Sequence, residues 1–328
     1  MSRVTMQTIA DHVGLSKYAV SRSLSGKGGV SETTRKRVER AAIELGYLAP
    51  SHLNHARTIQ LVLHDHDPVN SEVQLRIHRG IQREAERAGH PVQIRWTHDP
   101  GQILELGRHG AGMILVGPHP PVDQNGRGAP KFPLVKVGLI SPLEPVDQVN
   151  PTSDEATAAI GLKLYAFGHR RIVYLQGVGG YRGRVHRFRA MRDALEDLPE
   201  VDLRELYFAE NGGFLDAFKE LRGSGFSPTA IVAANDWMAM SVISDLLRIG
   251  IRVPDDISVI GYGDYPAATQ ITPQITTIRV PGEEMGAAAL RLLIERIQRH
   301  DAADAPTAPY RRVLIYAPII ERQSLQRI

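Results

Sequence analysis

The sequence predicts a small all-α unit at the N-terminus, followed by a larger α/β core of two lobes. The first 47 residues contain three short segments with apolar residues at helical spacing. Beyond residue 58, short β-like runs alternate with longer amphipathic segments. At 328 residues, the chain is also too long for one ordinary core. We therefore expect residues 1–48 to form the helical unit, residues 49–57 a short linker or hinge, and residues 58–328 the core.

Charge is distributed unevenly along the chain. Residues 1–60 contain nine Lys or Arg and four Asp or Glu, a net charge of +5, whereas the remainder sums to −2. This asymmetry indicates that the N-terminal unit binds a polyanion. The absence of cysteine excludes disulfides and thiol catalysis. Without a signal-peptide pattern or a run approaching the roughly 20 apolar residues of a membrane span, we expect a cytoplasmic protein with no membrane partner.

Each N-terminal helix has a hydroxyl residue placed to cap it. Thr5, Ser16 and Ser31 precede the three periodic segments, and Gly14 permits a sharp turn between the first two. Two short helices joined by such a turn and followed by a third are typical of a helix-turn-helix unit. The residues expected to face its core are Ile9, Ala10, Val13, Ala19, Val20, Leu24, Val38, Ala41, Ala42 and Leu45.

The second helix, within LSKYAVSRSLS, then carries a polar outward face. Lys17, Tyr18, Ser21 and Arg22 lie on it. In a helix-turn-helix, the second helix enters the DNA major groove with its N-terminal residues on base edges. The alternative is a small helical bundle whose polar face is merely solvated.

Val4 to Tyr47 resemble the headpiece of the LacI/GalR family of bacterial transcription regulators. The resemblance is carried by IADHVGLS, VSRSL and VSETTRKRVERAAIELGY. It implies that Lys17, Tyr18 and Arg22 contact bases, with Lys and Arg favouring guanine and Tyr suiting a hydrogen bond or a thymine methyl. It also implies phosphate contacts for a set of hydroxyl residues, namely Thr5, Ser16, Ser21 and Ser31.

The linker departs from the family pattern. The segment from Tyr47 to Ile59 is about five residues shorter than usual and lacks a Pro-Asn. The sequence therefore does not decide whether this linker forms a hinge helix. Leu53 is the only apolar side chain available there as a minor-groove wedge. Because one headpiece reads few base pairs, we expect a homodimer on a palindromic DNA operator, with a tetramer as the larger alternative.

The core resembles the periplasmic-binding-protein-like core of the same family. The motifs that carry this resemblance are GHRRIVYLQG, ANDWMAM, VPDDISVIGYGD, the P.ITTI pattern of 273–278 and IIERQS. The resemblance implies two Rossmann-like lobes with a small-molecule effector in the cleft between them. The expected N-lobe comprises 58–150 plus 281–308, and the expected C-lobe comprises 151–280 plus 309–328.

Candidate effector contacts follow from the same resemblance: His64, Val73, Arg184, Asn235, Asp236 and Asp264. The first acid of the family's GYDD motif is replaced by Gly263, and Thr152 stands where an Asp is usual. Arg184 is retained while these carboxylates are lost, which favours an anionic or atypical effector. A neutral sugar held by other residues is the alternative.

Other motifs point to alternative chemistry. The run His64-Asp65-His66-Asp67 resembles a metal cluster, but alternate residues of an extended chain face opposite sides, so a polar loop or ligand contact is favoured. GVGGYRG resembles a dinucleotide loop but has Arg182 where the last glycine belongs. We therefore expect no metal and no cofactor. The favoured function is an effector-controlled transcriptional regulator that represses; the alternative is an α/β enzyme acting on a sugar or nucleotide with a fused DNA-binding domain.

Overall fold

The computed structural model describes residues 4–24, 29–47, 58–65, 71–121, 131–139, 141–177, 181–208, 213–300 and 309–328. The chain divides into two compact units. Unit 1 comprises Met1–Asn150 and Gly282–Val313, and unit 2 comprises Pro151–Pro281 and Leu314–Ile328. The chain therefore passes from unit 1 into unit 2 after Asn150, re-enters unit 1 at Gly282, and ends in unit 2.

The N-terminal helices are α1 (Met6–Val13), α2 (Lys17–Leu24) and α3 (Glu32–Glu44), which confirms the predicted helix-turn-helix. Gly14 ends α1 in the left-handed conformation, with φ 66°, and so allows the sharp turn into α2. Their shared core contains Ile9, Ala10, Val20, Val38, Ala41 and Ala42.

One predicted core position of α2 is wrong. Ala19 is only half-buried and lies outside the core cluster, whereas Ser23 is buried. Ser23 lies three residues after Val20, so the two share the helix face that packs against α1 and α3. Position on the face, rather than hydrophobicity, decides which of the two residues is buried.

The first part of the core alternates strand and helix. Its elements are β1 (Ile59–Leu63), α4 (Ser71–Ala88), β2 (Val92–Trp96), α5 (Pro100–Arg108), β3 (Gly112–Val116), β4 (Leu134–Val137) and β5 (Asp147–Pro151). β1 and β3 are buried along their whole length. Such uninterrupted apolar runs are typical of central strands covered on both faces.

Unit 2 repeats the pattern. Its elements are α6 (Ser153–Ala166), β6 (Arg171–Leu175), α7 (Arg182–Leu195), β7 (Asp202–Leu206), α8 (Phe214–Gly223), β8 (Ala230–Ala233), α9 (Asp236–Arg248), β9 (Ser258–Gly263), a 3₁₀ turn (Pro266–Ala268) and β10 (Thr276–Arg279). The chain then returns through α10 (Gly282–His300) and β11 (Arg312–Ile315), and ends with β12 (Ile319–Ile320). The order of strands is β11-β5-β4-β3-β1-β2 in the unit 1 sheet and β12-β10-β9-β8-β6-β7 in the unit 2 sheet.

Helix α10 is fixed in unit 1 by glycine contacts with α4. A Cβ atom on Gly80 would overlap the carbonyl oxygen of Glu283, and one on Gly286 would overlap that of Ile77. The absence of side chains at both glycines lets the two helix backbones approach closely. Arg83 and Glu283 form an ion pair across the same contact.

The last crossing between units lies later in the chain than predicted. Residues 309–313 belong to unit 1 rather than to the second lobe, because β11 pairs at the edge of the unit 1 sheet beside β5. Asp147, which is fully buried, accepts from the backbone N of Arg311 at 2.7 Å and pairs with Arg296 at 2.7 Å. These contacts hold the returning segment on unit 1.

Candidate nucleic-acid interface and ligand site

The outward face of α2 presents three hydrogen-bond donors. Lys17 and Tyr18 are exposed, Tyr18 at 68%, and Arg22 is half-buried. Nη1 of Arg22 donates to the Tyr18 hydroxyl at 2.7 Å, and the guanidinium carbon lies 5.4 Å from the centre of the Tyr18 ring. Residues four apart on a helix are neighbours on its surface, so this contact restricts both side chains on the face that carries them.

Hydroxyl side chains cap α1, α2 and α3 as predicted. Oγ of Ser16 accepts from the backbone N of Ala19 at 3.2 Å, and Oγ of Ser31 accepts from the backbone N of Thr34 at 3.2 Å. Thr5 forms a reciprocal capping box with Thr8. The caps fix the first turn of each helix, where free backbone N–H groups and the helix dipole favour an anion such as phosphate.

The remaining contacts set the orientation of α2. Val20 and Ser23 are buried against the other two helices. Nη2 of Arg37, on α3, donates to the carbonyl of Val13 at 3.1 Å and so satisfies an acceptor at the end of α1. The outward face of α2 is therefore held rigidly by the small core behind it.

Three histidines lie together at the carboxyl end of the unit 1 sheet. His64 follows β1, and its ring centre lies 5.6 Å from that of His98, which follows β2, and 5.0 Å from that of His119, which follows β3. Nδ1 of His98 lies 2.8 Å from a carboxylate oxygen of Asp65. Burial, assisted by the nearby His64 and Lys136, lowers the pKa of His119 to about 4, so this ring is neutral at physiological pH. A neutral imidazole can both donate and accept, which suits a ligand with hydroxyl groups.

Two arginines of α7 lie at the carboxyl end of the unit 2 sheet. Arg184 is 4% exposed and donates from Nη1 to the carbonyl of Gln176, directly after β6, at 2.6 Å. Arg187 is 7% exposed and donates from Nη1 to the carbonyl of Ala234, directly after β8, at 3.1 Å. Its guanidinium also lies 3.6 Å from the centre of the Tyr262 ring. In parallel α/β sheets, this edge is where ligands bind.

Two regions of the chain match known protein families. Residues 5–50 match the model of bacterial regulatory proteins of the lacI family, and residues 163–325 match the periplasmic binding protein-like domain. The transcriptional repressor CytR of Escherichia coli (strain K12) is 32% identical over 322 residues, covering 90% of each chain. The chain belongs to the LacI family of bacterial regulatory proteins.

Other relatives extend the match over nearly the whole length. The ribose operon repressor of Escherichia coli (strain K12) is 29% identical, covering 98% of this chain and 99% of the repressor. The transcriptional regulator CelR in complex with cellobiose has 26% identity and a TM-score of 0.68, covering 98% of this chain and all of CelR. The Lac repressor dimer bound to operator and an anti-inducer, at 22% identity and TM-score 0.66, has the same fold.

This LacI-family protein is a ligand-controlled, DNA-binding transcriptional regulator. Its relatives are transcriptional repressors rather than enzymes, so the enzyme hypothesis is set aside. None of the helices described is both long and apolar enough to cross a membrane.

Three predicted effector contacts of this LacI-family regulator make hydrogen bonds within unit 2. Oδ1 of Asn235 accepts from the backbone N of Met238 at 2.7 Å, as the N-cap of α9. Asp236 is fully buried, and its carboxylate accepts from the backbone N of Tyr265 at 2.7 Å and from Oγ1 of Thr277 at 2.5 Å. Burial raises the pKa of Asp236 to about 6. Both residues lie just after β8, at the predicted strand end, and their contact with an effector stays a prediction.

Asp264 is likewise occupied. Its two carboxylate oxygens accept from Nε of Arg279 and Nη2 of Arg322, each at 2.6 Å. Burial alone would raise the pKa of Asp264, but the two guanidinium groups outweigh it and lower that pKa overall. Asp264 therefore ties the end of β9 to the C-terminal segment, and its contact with an effector stays a prediction.

The other predicted contacts are distributed over both units. His64 lies in the histidine group of unit 1, and Arg184 lies at the sheet edge of unit 2. Val73 is half-buried on α4, where its backbone approaches Gly282. Leu53, His66 and Asp67 fall outside the residues described. No group of three or more potential ligands is placed to bind a metal ion in the part of the chain that is described.

The sequence prediction missed His98, His119 and Arg187. His98, in WTHD, lies two residues after β2, and His119, in GPHP, lies three residues after β3. A polar residue just after a strand is the sequence feature from which both could have been predicted. Arg187 could have been found from its spacing, since it lies three residues after Arg184 on the same helix.

Proposed function

We propose that this LacI-family regulator represses transcription in the cytoplasm as a homodimer on a palindromic operator. Lys17, Tyr18 and Arg22 contact base edges in the major groove. Thr5, Ser16, Ser21 and Ser31 contact phosphates, through hydroxyls and helix N-termini. These contacts would set the register of each headpiece on the duplex, while the three base-contacting residues would supply the sequence preference.

The observation that carries this proposal is the outward face of α2. Its first turn is capped by Ser16, and the Arg22–Tyr18 hydrogen bond orders two long side chains before DNA is met. Ordering them in advance lowers the conformational entropy lost on binding. A guanidinium can then donate to O6 and N7 of guanine, the commonest specific contact in the major groove.

A dimer is proposed because a single headpiece contacts too few base pairs for tight binding. Two headpieces related by a twofold axis match a palindromic site, with half-sites about one helical turn apart. The Lac repressor neighbour, which shares the fold, is described as a dimer on its operator. A tetramer is the alternative assembly.

The proposed effector is a sugar, a sugar derivative or an anionic metabolite that binds at the carboxyl ends of the sheet strands. CelR, which is similar to this chain, is described in complex with cellobiose. Both the histidine group and the two arginines lie at such strand ends. Binding is expected to change operator affinity by about 1–3 kcal/mol, with the same coupling in both directions.

The test is selection of bound sequences from a random duplex library at physiological salt, with purified full-length protein. We expect enrichment of a palindrome with a guanine contacted by Arg22 in each half. The matched control is Arg40→Ala, which removes one exposed positive charge from α3 of the same headpiece. It should weaken binding to all sequences alike without altering the enriched motif.

Two results would count against the proposal as a whole, and a third against one of its residues. Enrichment of a single half-site would contradict the dimer, and failure to enrich any sequence, with or without a panel of sugars and sugar phosphates, would contradict operator recognition. An unaltered motif for Arg22→Ala would remove that residue from the set of base contacts.

A further inference from the structure

Arg187 of α7 differs from two other embedded arginines of the described residues in what neutralises it. Arg296 and Arg322, whose side chains are 14% and 13% exposed, each pair with a carboxylate, Asp147 and Asp264 respectively. Within the part of the chain that is described, no ion pair involves Arg187, although it is only 7% exposed. A buried charge without an opposite charge is costly unless a partner arrives.

The contacts of Arg187 leave part of its guanidinium unused. Nη1 donates to the carbonyl of Ala234 and Nε donates to the carbonyl of Gly183, at 3.1 and 3.2 Å. The plane also stacks on Tyr262 at 3.6 Å. Nη2 has no hydrogen-bond acceptor among the residues described. The backbone and the ring therefore position the group and leave one edge for an external acceptor.

A second, independent observation concerns Tyr174 on β6. Its side chain is 1% exposed, and its hydroxyl has no hydrogen-bond partner in the described part of the chain. Arg187, Arg184 and Tyr262 are among its electrostatic neighbours, as is the exposed Asp154. An unpaired buried hydroxyl is rare in native proteins, and its presence here indicates that a hydrogen-bonding partner is missing from this group.

We propose that the effector of this regulator carries a carboxylate or phosphate group, which binds to Arg187 beside Arg184 at the carboxyl ends of β6 and β8. The inference rests on the proposed function and narrows its effector class to anions. A carboxylate or phosphate brings the opposite charge and accepts two parallel charge-assisted hydrogen bonds from a guanidinium, whereas the hydroxyls of a neutral sugar bring no charge.

The test measures binding of matched compounds to the full-length protein. The panel contains glucose, gluconate, glucose 6-phosphate, ribose, ribose 5-phosphate and inorganic phosphate, with ionic strength held constant by NaCl. Binding is measured by calorimetry and by the shift in melting temperature. We expect at least one anion to bind while its neutral parent does not. The gluconate and phosphate arms distinguish a carboxylate from a phosphate ligand.

Variants of Arg187 test whether this residue binds the anion. Arg187→Gln should weaken binding of the anion by about 10- to 100-fold, the range for loss of a charge-assisted bidentate contact. Arg187→Lys should recover part of the affinity because it keeps the charge without the planar fork. Arg189→Gln is the matched control, since it removes an exposed positive charge from the same helix and should leave the affinity unchanged.

Three results would overturn the inference: a neutral sugar that binds as tightly as any anion, unchanged anion binding by Arg187→Gln, or no anion of the panel binding at all. Operator selection with the wild-type protein and with Arg187→Gln distinguishes failure of the anionic-effector inference from failure of the proposed operator recognition. A protein that selects an operator and responds to a neutral sugar would retain its proposed function and lose only the anionic effector. A cooperative melting transition of Arg187→Gln at a temperature close to that of the wild type shows that the variant folds.

Discussion

Replacement of Arg22 by Ala tests the proposed recognition surface most directly. A bidentate contact to one guanine contributes about 1–3 kcal/mol of discrimination. A palindromic operator contains two half-sites, so a homodimer should lose about 2–6 kcal/mol, which is a loss of about 30-fold to 10⁴-fold in operator affinity. The loss on random duplex should be much smaller, because phosphate contacts supply that binding.

The contact between Arg22 and Tyr18 allows a second loss of operator affinity to be estimated. Tyr18→Phe keeps the ring but removes the hydroxyl that accepts from Arg22 at 2.7 Å. Loss of one such hydrogen bond costs about 0.5–1.5 kcal/mol, or about 1–3 kcal/mol for two headpieces. If Tyr18 meets the base through its ring and its hydroxyl acts only by ordering Arg22, Tyr18→Phe should weaken operator binding by about 5- to 150-fold and should have little further effect in the Arg22→Ala background.

The assay is fluorescence anisotropy with the selected operator and with a scrambled duplex, at several salt concentrations. A base contact should leave the dependence of log affinity on log salt nearly unchanged, whereas loss of a phosphate contact should reduce its slope by about one per headpiece. Equal losses on operator and scrambled duplex, accompanied by a smaller slope, would refute base contact by Arg22 and leave it as a phosphate ligand.

Three further predictions concern the core. Gly286→Ala should lower the free energy of unfolding by about 1–3 kcal/mol through overlap with α4, whereas Gly223→Ala, which meets open space, should not; equal melting temperatures would contradict the close helix contact. Asp236→Ala should cost about 3 kcal/mol in denaturant unfolding because it leaves two buried donors unpaired, and a cost near zero would show that water replaces the carboxylate. Burial lowers the pKa of His119 to about 4 in the folded protein, so as pH falls below 6.5 the unfolded chain binds a proton at this residue before the folded chain does. The neutral His119 therefore contributes up to about 3 kcal/mol to the free energy of unfolding above pH 6.5, and this contribution is lost as pH falls towards 4. His119→Gln should therefore flatten the pH dependence of the melting temperature across this window, and parallel curves for the two proteins would contradict the assignment.

The helical unit could be predicted almost completely because its determinants are local. Ser16 and Ser31 bond to backbone groups three residues away, and Gly14 needs only its own conformational freedom. The exception is the choice between Ala19 and Ser23, which depends on how α2 is rotated against its neighbours. The apolar runs of β1, β3, β6, β8 and β9 likewise indicated their strands, since central parallel strands are buried on both faces.

Strands with mixed composition could not be found in this way. β5 and β7, with sequences DQVNP and DLREL, lack a continuous apolar run and become strands because neighbouring strands offer hydrogen-bond partners. The same holds for the later crossing between units, which depends on Asp147 binding Arg296 and the backbone of Arg311. Partners so far apart in the chain leave no mark on local sequence periodicity.

By itself, the sequence determined the helix-turn-helix, the outward face that carries Lys17, Tyr18 and Arg22, and the alternating α/β core. Only the tertiary structure decided which polar and charged side chains of the core bond one another. Asp236 accepts a hydrogen bond from Thr277, 41 residues away, whereas Arg187 is held at a strand end without a carboxylate partner among the residues described. The physical reason is that a helix cap or a face of a helix is set within one turn of the chain, while the freedom of a charged side chain depends on every group that folding brings to it.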